Sequence, residues 1–328
     1  MAPAETDLKT VFAFRPTSQR PSAGSPFDLN DPSGYRRWRD AKLLRHPRQV
    51  DDLIVEVKDP CALSRFERLA LQLRCRDANM AIYRSRSTDA DKSTVRRLGA
   101  QLGLHRLDHN WLADEDGISR VTVSAGAGAG GGEALVPYTS RAIRWHTDGY
   151  YHPQERRIHA MILHCVAAAA SGGVNRLVDH EMAYIAVREA NPDWTHALMA
   201  ANAMTIPARV DDGAQARAEQ TGPVFSVDPD KAALHMRYTA RTRSVVWHDD
   251  ADTRAAAAFL LAWLDSESAG SFRVRLEPGM GIVAHNVLHD RSAFVDEPGQ
   301  PRLIYRARYL DRIAPPVEAD GFSHWASA

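Results

Sequence analysis

The sequence predicts one α+β domain, mainly β: a mostly antiparallel sheet or barrel with helical cover. Three observations carry this expectation. Strand-like segments crowd the C-terminal third, at 233–247, 271–278, 280–286 and 302–310. Two strongly helical segments, 180–190 and 252–268, lie before and between them. The chain of 328 residues, 44% hydrophobic and 25% charged, can bury a sizeable core, and it shows no internal repeat and no clean boundary.

From the N-terminus, "RPTSQRPSAGSPFDLNDPS" (15–33) is rich in Pro, Ser and Gly and predicts an extended arm. "GYRRWRDAKLL" then predicts a short helix. "DDLIVEV" alternates apolar residues and favours β-branched ones, as a strand does. "LSRFERLALQL", "MAIYRSR" and "DKSTVRRLGAQLGL" read as helix, strand and helix, with Asp91 placed to cap the last and Gly103 near its end. The low-complexity patch "SAGAGAGGGEALVP" (124–137) offers little side chain to bury, so it predicts a surface loop, a candidate lid. It lacks the Lys-Ser/Thr of a phosphate-cradling loop. The helix at 252–268 is apolar nearly all round and should be well packed.

Bulk properties exclude several function classes. With 41 basic and 41 acidic residues, no whole-protein field points to nucleic acid or an anionic membrane. Cys61, Cys75 and Cys165 lack metal-type spacing and form no disulfide framework. No run of about 18 apolar residues appears, and "MAPAETDLKTVFAF" does not read as a leader. A soluble, cytoplasmic protein is expected, with self-association into a homo-oligomer left open.

The chemistry concentrates in "RAIRWHTDGYYHP" (141–153). On a strand, His146 and Asp148 would point the same way. An imidazole and a carboxylate are two thirds of a facial triad for non-heme Fe(II); a plain hydrogen-bonded pair at a strand end and an acid–base pair are the rival readings. "GMGIVAHNVLHDRSAF" ends an apolar strand in His285 and His289, and spacing alone does not choose between them as a third ligand. Arg302 and Arg306 are four apart on a probable strand and share a face that alternates with Leu303 and Tyr305. Such arginines suit a carboxylate ligand, or else pair with acids of this chain. Arg237, Arg241 and Arg243 sit at alternate positions of "HMRYTARTRSVVW", as a basic face for an anionic substrate or as surface arginines paired with acids. Trp145, Tyr150 and Tyr151 form an aromatic group suited either to a cationic ligand or to packing.

"WHTDGYYHPQERRIHAMILHCVAAAASGGVNRLVDHE" and "PGMGIVAHNVLHDRSAF…PRLIYRARYLD", in that order, resemble the taurine dioxygenase/γ-butyrobetaine hydroxylase group of Fe(II)- and 2-oxoglutarate-dependent oxygenases. The likeness covers roughly residues 135–312. It implies a double-stranded β-helix (jelly-roll, cupin-like) core with flanking helices. Residues 51–328 would form that domain with a glycine-rich loop at 124–133, and residues 1–50 an arm and short helix packed on it. It makes His146, Asp148 and His289 the iron ligands, which favours His289 over His285. Arg302 becomes the partner of the distal carboxylate of 2-oxoglutarate. Asn175 falls where relatives often carry a hydroxyl near the cosubstrate, and Val174 where an acid is common. Arg306, with Tyr150, Tyr151 and Arg241, would meet the substrate. The activity implied is hydroxylation by O2 of a small polar, carboxylate-bearing metabolite, with release of succinate and CO2. Retention of Asp148 argues against halogenation. A larger or peptide-bound substrate, a non-catalytic binding protein and a zinc hydrolase are the alternatives.

Overall fold

In a computed structural model of the chain, residues 25–87, 91–109, 116–123, 136–211, 214–228 and 232–316 are described. Most of the predicted arm and the glycine-rich loop at 124–133 lie outside them.

Two sheets form the core. Six strands, β1 (Ile54–Glu56), β2 (Met80–Arg84), β3 (Ile118–Val121), β5 (Ala160–Ala167), β8 (Met280–Ala284) and β10 (Leu303–Tyr309), run in the order β1-β2-β8-β5-β10-β3. Four more, β4 (Ile143–His146), β6 (Asn175–Val178), β7 (Phe272–Val274) and β9 (Leu288–Arg291), run in the order β7-β6-β9-β4. Every pairing is antiparallel except β1 with β2. The sheets face each other across a core that includes Met161, Cys165, Leu177, Phe272, Ile282 and Ile304. This is the predicted jelly-roll architecture, with helices outside it.

The period-two alternation of a strand assigns each side chain to a layer. Along β10, Tyr305, Ala307 and Tyr309 join the outer core under helices α2 (Arg65–Ala78) and α3 (Ser93–Gln101). Ile304 takes the inner face. The other sheet is covered by α4 (His180–Ala190), α5 (Pro192–Met199) and α6 (Ala251–Leu264), whose apolar sides meet Trp145 and Leu288. Among the described residues, no helix is long and apolar enough to cross a membrane.

Two local expectations change. The 233–247 segment is not one strand. It forms Ala233–Met236, a 3-10 turn at Thr242–Ser244 and the short strand Val246–Trp247. After Met236 the backbone leaves its hairpin partner and crosses to β4, where Thr147 N–H donates to Tyr238 O and Ala240 N–H to Trp145 O. Arg237, Arg241 and Arg243 therefore share no strand face. In α3, Lys92 occupies the capping position, while the Asp91 carboxylate accepts from Ser93 N–H at 2.9 Å one residue earlier.

Helix α1 (Pro32–Arg45) packs on this cover through Tyr35 and sends Lys42 inward. The Lys42 ammonium lies 2.6 Å from Asp179 and 2.5 Å from Glu181. Asp179 also accepts from Asn79 Nδ2 and caps α4 through Glu181 N–H. Removing the cation strands a buried carboxylate. Lys42→Met is expected to destabilise the fold by about 3–5 kcal/mol in guanidinium denaturation; a loss below about 1 kcal/mol, the range of exposed pairs, would show that the acids do not depend on it.

Candidate metal centre

The register of β9 on β4 sets His289 directly opposite His146, and the two imidazole centroids lie 4.2 Å apart. Asp148 stands just past the end of β4, in a turn closed by Gly149 at φ +66°. Its direction is therefore not fixed by strand alternation. Asn286, in the left-handed region at φ +52°, fixes it instead. Asp148 N–H donates to Asn286 Oδ1 at 2.7 Å, while Asn286 Nδ2 donates to Asp148 O at 2.9 Å and Ile158 O at 2.8 Å. One ligand atom from each of His146, Asp148 and His289 lies within 4.8 Å of the other two, the one such group found among the described residues.

The protonation states suit a divalent cation. Nδ1 of His146 sits 2.9 Å from Arg144 O, and Nδ1 of His289 sits 2.9 Å from Val287 O. A carbonyl only accepts, so each Nδ1 carries a proton, and in the neutral ring the Nε2 lone pair is the one left for a metal. Burial, with His289 alongside, pushes His146 down to about 3. Burial raises the Asp148 carboxyl, but Arg306 and Arg308 outweigh it and hold the group below its ordinary range. Arg306 Nη1 reaches Asp148 Oδ1 at 3.4 Å, leaving the buried Oδ2 without a partner. Two imidazole Nε2 atoms and one orphaned carboxylate oxygen fit a facially bound Fe(II).

The inner face of β10 supplies an arginine wall. Arg308 donates to Asp108 at 2.6 Å and to the Tyr151 hydroxyl at 3.0 Å, and comes within 4.0 Å of Asp148. Asp108 is buried and also accepts from Arg156 at 2.6 Å. Arg302, just before β10, is buried against the Phe294 ring, and its backbone N–H donates to Asp296. Its guanidinium has no hydrogen bond or ion pair among the described residues. Gly173, whose φ of +69° favours glycine, lies beside it, a Cβ there being in ordinary contact at 3.5 Å from Arg302 Nε. Asn175 is buried nearby on the four-stranded sheet, with Nδ2 unpartnered.

The structure brings together His146, Asp148, His289, Arg306 and Tyr151, whose hydroxyl reaches them through Arg308. Tyr150 packs against the helical cover and touches the Tyr151 ring edge-on at 5.2 Å. Arg241 is exposed, its backbone N–H turned onto Thr239, and does not join the group. His285 donates its backbone N–H to Asn79 O and lies outside the ligand set. Three contributors escaped the sequence reading. Arg308 stands one strand period past Arg306, and Asn286 lies inside "AHNVLH", so both had a signal. Asp108 had none.

Comparison with known proteins places this geometry in context. The family described as "Taurine catabolism dioxygenase TauD, TfdA family" matches residues 85–308. A uridine-5'-phosphate dioxygenase from Amycolatopsis sp is 34% identical over 177 residues, covering 51% of this chain and 60% of that protein. A uridine-5'-phosphate dioxygenase from Streptomyces sp is 28% identical over 201 residues, covering 58% of this chain and 69% of that protein. The chain thus spans less than two thirds of the Amycolatopsis relative. Among solved structures, asparagine oxygenase with Fe(II), 2S,3S-3-hydroxyasparagine and succinate aligns with a TM-score of 0.53 at 17% identity, over 75% of this chain and 78% of that one. The non-heme iron oxygenase OrfP with Fe and alpha-ketoglutaric acid gives 0.51 at 16% identity, over 70% and 74%. Both share the fold.

The Asn286 clamp leads to a measurable expectation. Asn286→Ala should weaken anaerobic Co(II) or Fe(II) binding by about 10- to 100-fold, the range for residues that orient a ligand. Titration with the metal alone reads this directly, and unchanged affinity would mean that the turn holds Asp148 without the amide.

Proposed function

The chain belongs to the TauD, TfdA family of taurine catabolism dioxygenases, and from that premise we propose that it is an Fe(II)- and 2-oxoglutarate-dependent dioxygenase acting on a small phosphorylated metabolite of the nucleotide class. It oxidises a C–H bond of that substrate and releases succinate and CO2. The observation that carries this reading is a pairing: three convergent donor atoms, and a buried guanidinium without a partner among the described residues. The nucleotide class follows the uridine 5'-phosphate named for both relatives. The acidic group expected on the substrate is accordingly read as phosphate rather than carboxylate.

His146, Asp148 and His289 would hold the metal through Nε2, Oδ2 and Nε2. Fe(II), when bound, would supply the redox chemistry that consumes O2 and the 2-oxo acid. Arg302 would anchor the distal carboxylate of 2-oxoglutarate as a charge-assisted pair in a dry setting. Asn175 Nδ2, buried without a partner, would be free to donate a further hydrogen bond to the cosubstrate. Arg306 keeps Asp148 ionised with one oxygen free and presents its remaining donors to the substrate. Arg308 fixes the Tyr151 hydroxyl, and with Tyr150 that ring walls the substrate side. Positioning of this kind supplies orientation and excludes water, which is most of what the protein contributes beyond the metal.

Two measurements test the reading. Anaerobic Fe(II) with 2-oxoglutarate should give the weak visible charge-transfer band of a chelated oxo acid, and uridine 5'-phosphate should stimulate succinate release in air. A flat spectrum would remove the oxygenase assignment, and a band without stimulation would remove the substrate class. Arg302→Ala should lose a charge-assisted bond of about 1.5–3 kcal/mol, raising the 2-oxoglutarate requirement about tenfold or more; an unchanged requirement would return Arg302 to a structural role.

A further inference from the structure

A second set of unpartnered cationic and polar groups lies beside the turn that carries Asp148. A cavity there is walled by Thr147–Tyr150 on one side and by Arg157, Ser226, His235 and Arg237 on the other. It encloses about 30 Å³ and reaches about 440 Å³ with its open mouth.

Arg157 is partly buried, and its guanidinium has no hydrogen bond or ion pair among the described residues. Asp228 and Glu155 act on it electrostatically, but neither comes within 4.0 Å. Arg237 is held rigidly, its Nη atoms donating to the carbonyls of Met204, Gln220 and Gly222, while its Nε is buried without a partner. The two guanidiniums also repel: burial first, and then Arg157, lowers Arg237 to about 10. Like charges drawn from water towards one cavity are costly unless an anion bridges them.

The neutral groups suit a particular anion. Ser226 and His235 are directly paired across a hairpin, so their side chains share a face. His235 is only 7% exposed; its Nε2 sits 3.2 Å from Ile158 O, and its Nδ1 has no partner. With the proton on Nε2, Nδ1 is an acceptor. A carboxylate offers it nothing, whereas a phosphate monoester, whose second ionisation lies near 6, carries an O–H for part of the neutral range.

We infer that this cavity is a phosphoryl subsite that sets substrate specificity. Phosphate oxygens accept from the Arg157 guanidinium, Arg237 Nε–H and the Ser226 hydroxyl, and the phosphate O–H donates to His235 Nδ1. The inference rests on the phosphorylated-substrate reading above and adds the residues that would enforce it. Arg157 is the principal partner because its donors are otherwise unused, whereas Arg237 also braces three backbone carbonyls.

The test compares wild type, Arg157→Gln and Ser226→Ala, each loaded anaerobically with Fe(II) and 2-oxoglutarate. An intact charge-transfer band certifies fold and metal centre. Calorimetric titrations use uridine 5'-phosphate, uridine and inorganic phosphate. Wild type should bind uridine 5'-phosphate about tenfold or more tightly than uridine, and Arg157→Gln should erase most of that preference. In air, Arg157→Gln should raise KM for uridine 5'-phosphate about tenfold with kcat nearly unchanged; Ser226→Ala should shift KM in the same direction by less. Undiminished phosphate preference in Arg157→Gln would overturn the subsite while leaving the substrate class standing. If wild type ignores uridine 5'-phosphate, the substrate class falls and inorganic phosphate decides alone: binding lost in Arg157→Gln keeps an oxyanion site, and no binding to wild type removes it.

Discussion

The pairing of β9 on β4 is the constraint on which the centre depends. A strand alternates its faces, so a slip of one residue would turn His289 outward and bring Leu288 or Asp290 inward. Both neighbours resist that slip. Leu288 is buried in the cluster beneath the helical cover. Asp290 is the direct cross-strand partner of Arg176 on β6 and accepts from its Nε at 2.9 Å. The Arg176 guanidinium also lies over the Trp145 ring, 4.5 Å from its centroid. Trp145 immediately precedes His146. One arginine on the outer face thus ties β6, β9 and β4 in the register that makes the inner face chemical.

The inner face of β10 poses the opposite problem, because it carries cations into a barrel. Arg306 and Arg308 meet Asp148 and Asp108, so their charges are compensated within the chain. Arg302 meets an aromatic ring instead. A ring face is worth about 0.5–2 kcal/mol to a cation, less than a desolvated guanidinium needs. Its position beside Gly173 and the free amide of Asn175 makes the deficit local and directional. Along one short run of sequence, two guanidiniums are thus met by acids of the chain and one is met by a ring alone, a distinction that residue type by itself does not make.

Legibility in the sequence followed the range of the interactions. Helices with clear periodicity, at 180–190 and 252–268, correspond to α4 and α6 within a few residues. The strand ending in "MGIVA" was legible because it is continuously apolar. The 233–247 segment misled because its alternation is real, while the chain's crossing to β4 is set by backbone hydrogen bonds with Tyr238 and Ala240 that leave no compositional mark. At the site, His146 and Asp148 were visible as a pair, but strand alternation was the wrong reason for their convergence. Asp148 lies beyond the strand, and Asn286, 138 residues away, aims it. The choice of His289 over His285 came from resemblance alone. Asp108 was silent because a single acid in a coil segment says nothing until Arg308 is placed against it.

Arg302, Arg306 and Arg308 set three buried guanidiniums against two buried carboxylates, Asp108 and Asp148. Arg156 is half exposed at the rim, so water screens most of its charge. A ferrous ion and the dianion of 2-oxoglutarate cancel each other, so loading the centre leaves the surplus positive charge in place. A neutral substrate would leave that surplus buried when it closed the site, whereas an anionic one neutralises it at the moment water is excluded. On the proposed reading, the surplus charge at the centre and the guanidinium of Arg157 beside it favour an anion in the same direction.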